Sequence, residues 1–224
     1  MSNATLPELD NSLYPQLWQQ RLYDSPQALL KAMLEGTIEP DAYAFTKQLQ
    51  ANASYQEWIN TSIFGRYIQR SFEALYSQTE DSFNMDIPAL YRNELLRHAQ
   101  YLPLEQVLFV AAEMPKNARR EKLFTTTLNP ATAILGAQKL KQNAHKVTPS
   151  NNQQLLINQI KIKGNEVLAF PLRHNKRTSE RIRNEVLIMS FKELRLVNEE
   201  LIDNKGVERS LIAEMILLRS YELR

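Results

Sequence analysis

The chain has 224 residues, 43% hydrophobic and 23% charged, a balance that supports a packed core and excludes an intrinsically disordered chain. A formal net charge of +2 is too small for a polyanion-binding surface spread over the whole molecule, so any basic signal has to be local. The chain lacks cysteine, which excludes disulfides, thiolate metal sites and a cysteine nucleophile; its five glycines form no phosphate-cradling run, and His98, His145 and His174 make no metal-spaced pair.

The opening stretch, MSNATLPELDNSLYPQLW, has neither a basic region nor an apolar core of the kind an export signal carries. The apolar runs fall short of a membrane span. The expectation is a soluble protein with no membrane partner, cytoplasmic or delivered into a target cell without a cleaved signal. The first part then reads as helix. Ser25-Pro26 supplies a cap and a Pro at the first helical position, and Gly36 stops the helix after QALLKAMLE. Pro40 opens a second segment to about Leu49. Ser54-Tyr55-Gln56-Glu57 has the form of a capping box, followed by Trp58, Ile63, Tyr67, Phe72 and Leu75 at helical spacing, a stripe that reads as core. The softest boundary lies in SQTEDSFN, so the chain divides into a helical region, 1–84, and a second region, 85–224.

The second region reads mostly as strand. KLFTTT runs into Asn129-Pro130, where Asn129 caps a helix that continues as ATAILGAQKLKQNAHK. LLINQIKIKG alternates, with Ile160 and Ile162 on one face and Lys161 and Lys163 on the other. After a turn at Gly164-Asn165, EVLAF is a strand that Pro171 ends. A polar stretch, LRHNKRTSERIRN, leads to three further strands, EVLIMS, KELRLVNEE and LIAEMILLRS. The fold class is α+β, helices first and then a mostly antiparallel sheet with a helix packed on it.

Thr125-Thr126-Thr127 closing a strand, an Asn-Pro-Ala helix start and then Asn-Glu-Val-Leu-Ile, in that order, resemble the ADP-ribosyltransferase superfamily. Its members carry a Ser-Thr-Ser strand before a helix and a catalytic Glu before a later apolar strand. The resemblance spans roughly residues 88–222. It implies an ADP-ribosyltransferase-like sheet fold, NAD as substrate without a metal, and transfer of ADP-ribose to a macromolecular acceptor, a protein side chain ahead of nucleic acid. NAD hydrolysis and a catalytically silent binding module are the rival readings. A toxin or effector role is implied too, and with it an inhibitor or antitoxin as a partner. Glu185 takes the catalytic place, since a fixed carboxylate stabilises the positive charge that develops on the ribose as nicotinamide leaves. Thr125, Thr126 and Thr127 take the Ser-Thr-Ser place, with Thr125 and Thr127 on one face of the strand.

Arg92, following Tyr91 in ALYRNEL, is the candidate for the superfamily's upstream Arg, binding NAD through a rigid fork of donors. The same stretch also reads as an amphipathic helix. In that case VLFVAAEMP is the first strand, with Val110 in the arginine's place and Arg119 or Arg120 near the phosphates. Two residues before Glu185 the superfamily has Glu or Gln facing the acceptor; this chain has Arg183, which can neither accept a hydrogen bond nor take a proton. The preceding loop is basic, with Arg173, His174, Lys176, Arg177 and Arg181 against Glu180 alone. Arg177, Arg181 and Arg183 read either as contacts to an anionic acceptor or as a solvated charge run. Local sequence alone also allows Glu185 to be a solvent-facing start of a strand and the threonines to be β-formers on an edge.

Overall fold

The computed structural model describes residues 4–9, 16–18, 21–61, 92–93, 95–147, 154–172, 183–203 and 215–224. The expected division at 84/85, Tyr91 and the stripe residues Ile63, Tyr67, Phe72 and Leu75 fall outside them, as does the loop from Arg173 to Arg181.

A short hairpin precedes the helices. Strands β1 (Gln16–Trp18) and β2 (Arg21–Tyr23) pair antiparallel, where the sequence shows no strand because three residues are too few to display alternation. Trp18 is buried and lies 6.1 Å, ring to ring, from Phe45. Helix α1 (Pro26–Leu34) is capped as expected: Ser25 Oγ accepts from the Ala28 N–H, and Gly36, at φ 70°, closes the other end. Helix α2 (Ala42–Ala51) is capped by Asp41, whose carboxylate accepts from the N–H groups of Tyr43 and Ala44. Helix α3 (Ala53–Thr61) corrects the capping-box reading. Its cap is Asn52, whose side chain accepts from the Tyr55 N–H at 2.9 Å, so Ser54 lies inside the first turn. Asn52 also ends α2, giving its own N–H to the Leu49 carbonyl; a single extended residue both ends one helix and starts the next.

The second region forms an eight-stranded sheet. Its strands are β3 (Gln100–Tyr101), β4 (Val107–Ala111), β5 (Phe124–Thr127), β6 (Leu155–Ile162), β7 (Leu168–Pro171), β8 (Glu185–Ser190), β9 (Leu194–Asp203) and β10 (Met215–Leu223). Their order across the sheet is β3-β7-β8-β5-β4-β6-β10-β9. The sheet is mixed: β6 and β10 run parallel, and the other neighbouring pairs are antiparallel. Pro171 is tolerated at the end of β7 because β3 pairs only with Leu168 and Ala169, so no ladder bond is asked of it.

Between β4 and β5 the register consists of one pair, Phe109 with Thr127. The sheet is thus two four-stranded halves that meet at a single point. Helix α4 (Lys116–Arg120) connects β4 to β5, and helix α5 (Pro130–Val147) connects β5 to β6. Asn129 caps α5 as expected, its side-chain oxygen accepting from the Thr132 N–H.

One apolar core joins α1, α2 and α3 to the sheet, from Leu29 and Phe45 through Trp58 to Val186, Ile188 and Leu218. A smaller cluster, Leu95, Ala99, Leu123, Phe170, Leu172, Leu187 and Met189, covers the opposite face of β7 and β8. Among the described residues no helix is long and apolar enough to cross a membrane.

Candidate active site

The antiparallel register of β5 and β8 sets Thr127 directly opposite Glu185, Thr126 opposite Val186 and Thr125 opposite Leu187. Paired residues on neighbouring strands point to the same face and alternate along each strand. Glu185, Thr127 and Thr125 therefore share one face. Thr126 faces the other way, toward the main core, where it is 2% exposed and its hydroxyl donates to the Val186 carbonyl at 2.8 Å. Thr125 is exposed. On the face of Glu185 the next side chains along β8, Leu187 and Met189, belong to the small apolar cluster with Leu95 and Ala99. The carboxylate and the exposed hydroxyl thus stand at the edge of an apolar surface.

Two devices fix where Glu185 sits. The first is Thr127, whose hydroxyl donates to the Arg183 carbonyl and accepts from the Asn129 N–H at 3.0 Å, tying the approach to β8 to the start of α5. The second is Asn184, at φ 45°, a left-handed conformation that asparagine tolerates better than most residues. Its buried side chain is held on three sides. Oδ1 accepts from the Thr46 hydroxyl at 2.7 Å and from the Asn129 amide at 3.1 Å, and Nδ2 donates to the Tyr55 hydroxyl at 3.2 Å. Asn129 further donates to the Ala42 carbonyl and to Thr46. Helices α2 and α3 thereby hold the residue immediately before the candidate catalytic carboxylate. The backbone on either side is also engaged: Leu128 N–H donates to the Asn184 carbonyl and Leu172 N–H to the Glu185 carbonyl.

Arg183 reaches back toward Glu185, with Nη1 3.8 Å from Oε1. The arginine side chain is 50% exposed and the glutamate 19%, so the guanidinium is the outer partner. Arg92 lies on a helical turn rather than on a strand, and its guanidinium donates to the Met189 carbonyl at 3.2 Å. Met189 is four residues along β8 from Glu185, on the order of 13 Å at strand rise, so Arg92 is held at the far end of that strand. Val110 on β4 is buried, and Arg119 and Arg120 end α4 exposed to solvent. The structure therefore brings together Glu185, Arg183, Thr125 and Thr127, and leaves Arg92 apart. Arg177 and Arg181 lie outside the described residues.

No protein-family model matches the chain, and no curated protein matches it. Among solved structures it is similar to C3larvin toxin, an ADP-ribosyltransferase from Paenibacillus larvae, at 13% identity over 82% of this chain and 100% of that one, with a TM-score of 0.32. It is also similar to Vis toxin, an ADP-ribosyltransferase from Vibrio splendidus, at 13% identity over 96% of this chain and 90% of that one, with a TM-score of 0.35. The chain resembles ADP-ribosyltransferase toxins.

The residues that sequence reasoning missed in this site are Asn184, Thr46 and Tyr55, together with the side-chain contacts of Asn129 beyond its cap. Asn184 carried a usable signal, an asparagine directly before an apolar strand, a residue type that tolerates left-handed backbone. Its partners carried none, because Thr46 lies 138 residues away and Tyr55 lies 129 residues away. Among the described residues no group of three or more His, Asp or Glu side chains is arranged to hold a metal ion.

Proposed function

We propose that the protein cleaves NAD and transfers ADP-ribose to a macromolecular acceptor, a protein side chain ahead of nucleic acid. The reading is carried by one observation: the register that sets Glu185 opposite Thr127 with Thr125 exposed on the same face. Breaking the bond between ribose and nicotinamide builds positive charge on the sugar, and a carboxylate held beside it lowers that barrier. Glu185 is the group for this task, and its backbone is anchored so that little reorganisation accompanies the reaction. Thr125 offers a hydroxyl to the ribose on the same face. Nicotinamide leaves as a neutral ring, so the step needs no general acid.

The test is Glu185→Gln, which removes the charge and keeps the shape. Nicotinamide release is expected to fall on the order of 100-fold, with thermal unfolding unchanged. Near-normal release from a folded variant would remove Glu185 from the mechanism.

A further inference from the structure

The pairing of Arg183 with Glu185 bears on what kind of nucleophile this site takes. Thr127 pins the Arg183 carbonyl, so the backbone there is fixed while the half-exposed side chain is able to turn. An arginine carries five N–H donors and no acceptor and remains protonated, so it cannot take a proton from an incoming nucleophile. A guanidinium 3.8 Å from the Glu185 carboxylate also offsets the negative charge that the sugar requires. Both problems vanish for an acceptor that is already ionised. It needs no base, and it offers the guanidinium a carboxylate of the same shape as the one the guanidinium releases. A cationic acceptor would meet a like charge at Arg183 and would have to lose a proton that Arg183 cannot take.

Resting on the reading of Glu185 above, we propose that the acceptor is an aspartate or glutamate side chain of a partner protein, and that its arrival draws Arg183 away from Glu185. In the transfer, an acceptor carboxylate oxygen bonds to the ribose carbon as that carbon's bond to the nicotinamide nitrogen breaks. The bonding pair returns to the pyridinium ring, neutral nicotinamide leaves, and the product is an ADP-ribosyl ester; no proton changes hands. Without an acceptor, Arg183 holds Glu185 partly neutralised and NAD is spared from hydrolysis.

The experiment measures nicotinamide release by the full chain from NAD alone and with N-acetylglutamate, inorganic phosphate or agmatine. In parallel, labelled NAD is incubated with a cell lysate and the labelled protein is treated with neutral hydroxylamine, which cleaves esters. The expected result is stimulation by N-acetylglutamate above that by phosphate or agmatine, and label that hydroxylamine removes. Arg183→Gln is expected to raise release in the absence of acceptor and to lower the preference for N-acetylglutamate roughly ten-fold, the scale of one charge-assisted hydrogen bond at a half-exposed site. Arg183→Lys, which keeps the charge, is expected to retain part of that preference. No stimulation by N-acetylglutamate, larger stimulation by phosphate or agmatine, hydroxylamine-resistant label, or an unchanged preference in Arg183→Gln would each overturn the inference. Release that persists in Glu185→Gln would instead overturn the underlying reading, so the two failures are distinct.

Discussion

Replacing Asn184 tests whether the helical region fixes the candidate catalytic strand. The side chain makes three hydrogen bonds, to Thr46, Asn129 and Tyr55. At about 1 kcal/mol for each neutral bond, Asn184→Gly is expected to cost about 3 kcal/mol. Asn184→Ala loses the same bonds but keeps a Cβ on a backbone at φ 45°, which glycine adopts without steric cost, so it should be roughly 1 kcal/mol less stable than the glycine variant. Such a loss is a large share of the 5–15 kcal/mol, roughly, that holds a typical domain folded. Thr46→Val removes one of those bonds at the other partner. Combined with Asn184→Gly it should cost about 1 kcal/mol less than the sum of the single variants, because the shared bond is lost only once. Urea unfolding of the four variants gives these differences, and nicotinamide release should fall in every variant that loosens Asn184. A loss below about 1 kcal/mol for both Asn184 variants would show that the network does not hold β8, and an alanine variant more stable than the glycine one would show that the left-handed turn carries no strain.

Three further outcomes are expected. Thr125→Ala should impair nicotinamide release with little change in melting temperature, whereas Thr126→Val, which loses a buried bond to Val186, should cost about 1 kcal/mol of stability and little activity; the reverse order would show that the facing is wrong. Hydrogen bonds from Lys161, and then Lys163, hold the Glu105 carboxyl below its ordinary value of 4.5. That contribution is present above the unfolded value and lost as pH falls through the lowered one, so the stability difference between the parent and Glu105→Gln should be under about 1 kcal/mol at pH 7, as expected of an exposed group, and should disappear in acid melts. Finally, a Cβ at Gly164 would lie 2.6 Å from Arg224 Cα and 2.7 Å from its carbonyl carbon, against backbone that Glu193 holds by hydrogen bonds. Gly164→Ala should destabilise by roughly 1–3 kcal/mol, and an unchanged melting temperature would show that this end of the chain yields freely.

The elements legible in the sequence were those whose signals are local. EVLIMS is β8 residue for residue, and LLINQIKIKG contains β6, which ends two residues earlier at Ile162, because alternation and apolar runs report burial directly. Ser25 and Asn129 were readable as caps because a cap acts within three residues. The misplaced cap at Ser54 has the same origin: Asn52 and Ser54 both suit the position, and only tertiary packing decides between them. Arg92 illustrates the opposite limit. Its helical and strand readings were both admissible locally, and the bond to Met189 that fixes its place crosses 97 residues. The grouping of Glu185 with the threonines came from resemblance to a known motif order, since neither residue type announces a partner nearly sixty positions away. Asn184 escaped for a related reason, its network being assembled from two helices and a loop that share no sequence pattern.

The single register pair between the two halves of the sheet has a consequence for the chain as a whole. In sequence, β3 belongs to one half, β4 to the other, β5 to the first, β6 to the second, β7 and β8 to the first, and β9 and β10 to the second. The chain crosses the junction at each of these changes, so no single cut divides it into two fragments that each keep an intact half. The halves are laced together like the two sides of a boot, with Glu185 and Thr127 both on the side that holds β8 and β5. Neither half is one contiguous stretch of the sequence that a single exchange of segments could move alone.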